Sequence, residues 1–123
     1  MKIKHWTDVQ EQQAEGIDGV TVRWVINDTD GAPHFAMRVF DVQPAKSSLY
    51  HSHWWEHQVF VLEGEGVVVQ EKSETPIAKG SVILVEGDEM HCFRNTGSDV
   101  LRFICLIPFQ WLEGLAQKHT SGS

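Results

Sequence analysis

The clearest pattern along the chain is alternation of apolar and polar positions, the period at which side chains on a β-strand return to one face. In "VTVRWVIND" Val20, Val22, Trp24 and Ile26 share a face while Thr21 and Arg23 lie on the other, which predicts a half-buried strand. "NDTDGAP" supplies a turn, and "HFAMRVFDV" resumes an extended pattern until "QPAKSS" breaks it. "HQVFVLEGEG", "VVVQE", "SVILVEGD", "MHCFRNTG" and "VLRFICLIPF" are further strand-like runs, each ended by Gly, Asp or Asn turn chemistry. Only "TDVQEQQAEG" and "FQWLEGLAQKH" carry a helical reading, and both sit at the ends. Many short strands with so little helical period predict an all-β sandwich or barrel. The barrel core is expected over about residues 20–109, with a terminal segment at 110–123 that holds a short helix and a frayed "TSGS" tail.

Composition narrows this picture. A chain of 123 residues has room for one ordinary domain, and 41% hydrophobic with 22% charged residues is an ordinary globular balance. The formal charge of −7, with ten Lys and Arg scattered along the sequence, argues against a nucleic-acid partner. "MKIKHWTDVQEQQAEG" lacks the apolar core of a signal peptide, and no apolar run reaches membrane-spanning length, so a cytoplasmic protein without a membrane partner is expected. Cys92 and Cys105 are then reduced thiols, and the sequon Asn27-Asp28-Thr29 is a chance match.

The candidate chemistry lies in "HSHWWEH", residues 51–57. His51 and His53 are two apart, so on a strand both project from one face and can chelate one ion. His57 follows across a probable bend at Trp54-Trp55-Glu56, and His91 arrives in "EMHCFRN" on what should be a neighbouring strand. These four are candidate metal ligands, because chance seldom gathers three of a chain's seven histidines into seven residues. His5, His34 and His119 have no such context and are read as surface or packing residues.

"HSHWWEHQVFVLEGEG" and "GSVILVEGDEMHCFRN" strongly resemble the two motifs of the cupins, small β-barrels of the jelly-roll type, a double-stranded β-helix. His51, His53 and Gly64 match the first motif; Gly80, His91 and Asn95 match the second; the resemblance runs from about Val20 to Phe109. Where many cupins carry a Glu ligand, seven residues before Gly64, this chain has His57. The same substitution occurs in a subgroup of small bacterial cupins that "APHFAMRVF" and "FICLIP" also resemble. That resemblance implies one divalent ion on His51, His53, His57 and His91, with manganese or iron expected by analogy; imidazole donors also suit nickel, copper, cobalt and zinc. It further implies a homodimer. Trp54 replaces the proline usual in the first motif, and Glu86-Gly87 replaces a proline-centred approach to His91, departures that bear on loop shape.

Four neutral imidazoles leave the ion its full charge, and a six-coordinate ion keeps two positions for water, oxygen or substrate. Glu56 and Gln58 flank His57 and are candidate outer-shell partners of a ligand histidine. The Phe103–Cys105 face of the last strand, with Trp55 and Phe93, is expected to wall an apolar pocket, and Arg38 on "FAMRVF" is a candidate for a substrate carboxylate, though an exposed position competes. "GEG" at residues 64–66 reads as a hairpin turn, and no serine nucleophile, phosphate loop or Cys-x-x-Cys motif appears. The leading functional expectation is a mononuclear metal-dependent oxidoreductase, dioxygenase-like, acting on a small substrate in the barrel. Two alternatives stand beside it. One is a non-catalytic module that holds an organic acid or sugar; the other is metal-assisted isomerisation or decarboxylation without redox change, for which Glu56 is the nearest candidate base.

Overall fold

A computed structural model of the chain describes residues 1–109. Its strands are β1 (Gln12–Gln13), β2 (Val20–Ile26), β3 (Phe35–Val42), β4 (His57–Glu63), β5 (Glu65–Gln70), β6 (Glu74–Ala78), β7 (Val82–Val85), β8 (His91–Asn95) and β9 (Leu101–Pro108). They form a six-stranded sheet in the order β1-β2-β3-β9-β4-β7 and a three-stranded sheet in the order β6-β5-β8, with every pairing antiparallel. The two sheets enclose the core as a jelly-roll barrel. Among the described residues no helix is long and apolar enough to cross a membrane.

Strand register carries the alternation of the sequence into rows of side chains across the large sheet. Val22, Phe40, Phe103 and Val61 stand opposite one another and are all buried. The next row toward the open end is Trp24, Arg38, Cys105, Val59 and Ile83. Phe103 is 2% exposed, its ring 5.2 Å from that of Phe40 and 4.7 Å from that of Phe93 on the opposing sheet. Burial of such a side chain contributes about 1.5–3 kcal/mol, so this aromatic trio ties the two sheets together.

Four sequence expectations change. β2 has a register shift between Trp24 and Ile26, which buries Val25 and leaves Ile26 39% exposed; the extra residue reverses the alternation that placed Ile26 inward. "TDVQEQQAEG" is not helical. The 3-10 turn Trp6–Asp8 overlaps its start and strand β1 follows, because pairing with β2 satisfies its backbone where a helix would find no apolar stripe to bury. β6 went unread because Pro76 interrupts its pattern; it lies at a sheet edge, where a missing N–H is tolerated. "GEG" is no hairpin: β4 and β5 belong to different sheets, and Gly64 turns the corner between them with φ +86°. The terminal helix expected within 110–123 lies outside the described residues.

Gly64 and Gly80 offer a controlled comparison. Both have positive φ, but a Cβ on Gly80 meets nothing within 4 Å, whereas one on Gly64 falls 2.4 Å from the Val100 carbonyl oxygen. Gly80→Ala should therefore cost about 1–2 kcal/mol, the left-handed penalty alone, and Gly64→Ala clearly more. Urea unfolding of both variants checks this, and equal losses would contradict the packing at the corner.

Candidate metal centre

His51 and His91 form an isolated antiparallel bridge, each backbone N–H donating to the other's carbonyl at 3.1 and 2.9 Å. Directly opposed residues point to the same face, and here the ring centroids stand 5.2 Å apart. His53, two residues on, brings its ring 4.2 Å from that of His51 and stacks on Trp55 at 4.1 Å with 7° between the planes. His57 enters from the other sheet as the first residue of β4, its centroid 5.4 Å from that of His53 and 5.2 Å from that of His91. Strand spacing supplies the first pair, cross-strand pairing adds His91, and closure of the barrel adds His57.

The bend that carries the chain from His53 to His57 is held by the segment before β8. Asp88 N–H donates to the His53 carbonyl, and Gly87 lies so close to Trp54 that a Cβ would fall 2.4 Å from the Trp54 carbonyl oxygen. The two places where the chain departs from the usual motifs, Trp54 and Glu86-Gly87, thus meet each other. Asn95, the last motif residue, donates to the carbonyls of Val42 and Asp99 and accepts from Gly97 N–H, each at 2.8 Å, which fixes the turn after β8.

Nitrogen chemistry fits a divalent ion. His51 Nδ1 donates to Glu15 Oε2 at 3.1 Å, and His91 Nδ1 donates to the Glu89 carbonyl at 2.8 Å, so each keeps Nε2 as its lone-pair nitrogen. His57 Nδ1 faces Cys105 Sγ at 3.2 Å, and its Nε2 is buried with no hydrogen-bond partner. Burial, followed by the Arg38 charge and the other imidazoles, lowers the His57 pKa to about 2; burial and neighbouring imidazoles lower that of His53 to about 4. His91 is lowered as well, chiefly by burial. These rings are neutral at neutral pH, the form that ligates metal. Among the described residues no group of three or more His, Cys, Asp or Glu is placed to hold a metal ion as the side chains stand. The centroid spacings of 4.2 to 6.4 Å still surround one volume. With a metal–nitrogen bond of about 2.1 Å, neighbouring rings on one ion stand about 4.5–5 Å apart, so rotation of the rings is the closure an ion would need.

The imidazoles border a cavity of about 260 Å³ that opens beside Glu15. Trp55, Phe93, Phe103, Cys105 and Arg38 all line it, and the register of β3 turns Arg38 into the barrel. Glu56 and Gln58 stand elsewhere: both are exposed, and Gln58 Nε2 donates to Glu56 Oε2 at 3.0 Å. His34 is exposed, His5 caps the first 3-10 turn, and His119 lies outside the described residues. Three lining residues had no signal of their own in the sequence. Trp24 and Phe40 looked like core, and Glu15 lay in a segment read as helix. Glu15 has φ +54°, between β1 and β2, an uncommon backbone state for a residue other than glycine and one found at functional positions. Burial raises its pKa, but the His51 hydrogen bond and the charges of His51, Arg38 and His53 outweigh this and leave it lowered, so the carboxylate is ionised at neutral pH.

The sequence matches the Cupin_2 family, the Cupin domain, over residues 38–107, more than half of the chain. The chain belongs to the cupin family. Among solved structures it is similar to the polyketide cyclase RemF from Streptomyces resistomycificus, with 32% identity, a TM-score of 0.82 and coverage of 88% of this chain and 79% of that one. It is also 32% identical over 80 residues to the oxalate-binding protein of Thermotoga maritima, a match spanning 62% of this chain and 66% of that protein. A match to the 1-methylthio-D-xylulose 5-phosphate methylsulfurylase of Rhodospirillum rubrum is 27% identical and spans 58% of this chain and 46% of that one. The matched segment is thus less than two thirds of either relative's length.

Calorimetric titration of the chelator-treated chain with zinc or manganese should show one equivalent bound, and His57→Ala or His91→Ala should remove it. Glu15→Gln should weaken binding about 10- to 100-fold, the usual effect of losing a carboxylate behind a ligand histidine, whereas Glu56→Gln should leave it unchanged. Unaltered affinity in His57→Ala would contradict the site.

Proposed function

We propose that this cupin holds one divalent ion on His51, His53, His57 and His91 and uses it for proton transfer to and from a carbonyl substrate, a cyclisation or isomerisation without net redox change. The observation that carries this reading is Glu15, a carboxylate at the cavity mouth, hydrogen-bonded to His51 and held there by an uncommon backbone state. The non-redox reading lacked a base while Glu56 was its nearest candidate; Glu56 accepts from Gln58 and does not line the imidazole cavity, whereas Glu15 does. Likeness to a polyketide cyclase at 32% identity supports the same class of chemistry.

A divalent ion with neutral imidazole ligands supplies Lewis acidity toward a carbonyl oxygen and keeps its full charge while doing so. The chain's own residues do the rest. Trp55, Phe93 and Phe103 give the substrate apolar walls that exclude water. Glu15 takes a proton from the carbon beside the carbonyl and returns it at the product position, and the His51 N–H holds its carboxylate in place. Cys105, a free thiol whose Sγ lies 3.2 Å from His57 Nδ1, would be exposed to oxidation beside an oxygen-activating ion, which counts against the oxidoreductase reading. The likeness to an oxalate-binding protein keeps a third reading, ligand binding without turnover.

Deuterium uptake into 1-phenylbutane-1,3-dione separates the three. With metal-loaded protein in D2O under nitrogen, exchange at the central carbon should exceed the protein-free rate. At saturating metal, Glu15→Gln should lower the catalysed rate about 10²- to 10⁴-fold, the scale of general-base catalysis. Oxygen consumption with the same substrate would favour the oxidoreductase, and tight binding with no exchange would favour the binding module.

A further inference from the structure

Arg38 is unlike the other three arginines of the chain. Arg23 lies 3.7 Å from Glu11 and 3.9 Å from Asp41, Arg94 pairs with Glu74 at 2.8 Å, and Arg102 pairs with Asp41 at 2.7 Å. Among the described residues no carboxylate comes within ion-pair reach of Arg38, although its guanidinium sits inside the barrel in the row of Trp24 and Cys105. Its Nε is buried with no hydrogen-bond partner, and Nη2 donates to Cys105 Sγ, a weak acceptor, at 3.1 Å and lies 3.4 Å from His57 Nδ1, so its only hydrogen-bond partners among the described residues are neutral groups. An interior guanidinium is normally satisfied by an anion, because burial removes the water that would otherwise solvate it.

Its surroundings position the group without neutralising it. The guanidinium carbon lies 4.8 Å from the Phe40 ring centroid and 5.2 Å from that of Trp24. These rings hold the head of the side chain by cation–π attraction and accept none of its hydrogen bonds. Glu15 is engaged with His51 at the mouth, so one carboxylate and one unpaired cation border the same cavity. Aromatic walls select a flat ligand, and a planar guanidinium selects an oxygen anion that two N–H groups can reach together.

From this geometry we propose that Arg38 is the specificity-determining residue of the cavity and that the substrate is a flat, conjugated molecule carrying an anionic oxygen, a carboxylate or an ionised phenol or enol, which Arg38 receives. The proposal rests on the pocket described above and deepens the functional reading, but it needs neither metal nor turnover. Arg38 is a binding residue in it, so its effect is on affinity.

The test uses the full-length, chelator-treated chain at fixed ionic strength, and its failure is therefore separate from failure of the proton-transfer reading. Sodium benzoate and neutral benzamide are titrated against tryptophan fluorescence, to which Trp24 and Trp55 at the cavity contribute among the five tryptophans, and 4-nitrophenolate is titrated by its own absorbance. The anions should bind, with benzamide at least about tenfold weaker than benzoate; Arg38→Met should weaken anion binding about 10- to 100-fold and leave benzamide unchanged. Whichever anion binds more tightly names the source of the charge. A second readout is taken on the unaltered chain, with the conservative Arg38→Lys used only to assign the signal. In ¹⁵N-correlated spectra of the unaltered chain, one of the four arginine Nε–H signals should move with benzoate and stay still with benzamide, and it should be the signal missing in Arg38→Lys. Failure of both anions to bind, benzamide binding as tightly as benzoate, or an unmoved Arg38 signal would each overturn the proposal.

Discussion

Four imidazoles share an interior in which three of them are too desolvated to carry charge. That constraint organises the rest of the site. His57 and His91 are the buried pair of the ring group facing the cavity, and His57 Nε2 has no partner among the described residues. A polar nitrogen so placed costs free energy unless something arrives to partner it. The backbone pairing of His51 with His91, and the switch of sheets that delivers β4, leave these nitrogens close together in a way that side-chain attraction alone would not produce. His57 and His91 stand on strands, which keep position better than loops, and the bridge ties His51 to the start of β8.

The cavity is polarised around this cluster. Glu15 approaches from the β1–β2 connection and steadies His51, while Arg38 comes from the middle of β3 and lies against Trp24 and Phe40. Between them the walls are apolar and aromatic. A substrate in this space would meet a carboxylate, a cation and imidazole nitrogen within one small cavity, each supplied by a different part of the fold. The buried Asn95 contributes less directly: by tying β3 to the turn after β8 it holds the frame on which His91 sits.

Much of this was legible in the sequence because it depends on local periodicity. Two-residue spacing placed His51 and His53 on one side, and the alternation in β9 placed Phe103 and Cys105 inside. What escaped depends on long-range or backbone effects. Ile26 was misplaced because a bulge leaves no mark in an apolar-polar pattern. Glu15 is 36 positions from His51, in a polar segment with no alternation, and only the flanking Gly16 and Gly19 hinted at a turn there. Glu56 looked suitable because it adjoins His57 in sequence, yet it lies just before β4, exposed and accepting from Gln58, while His57 is buried. The contact between Trp54 and Gly87 joins two departures from the family pattern that nothing local connects.

The most direct test of the central claim is a crystal structure of the zinc-loaded protein with anomalous data collected at the zinc edge. The account predicts one anomalous peak about 2.0–2.1 Å from Nε2 of His51, His53, His57 and His91, with Glu15 still hydrogen-bonded to His51. A peak at another group of residues, or one that leaves His57 Nε2 unligated, would contradict it.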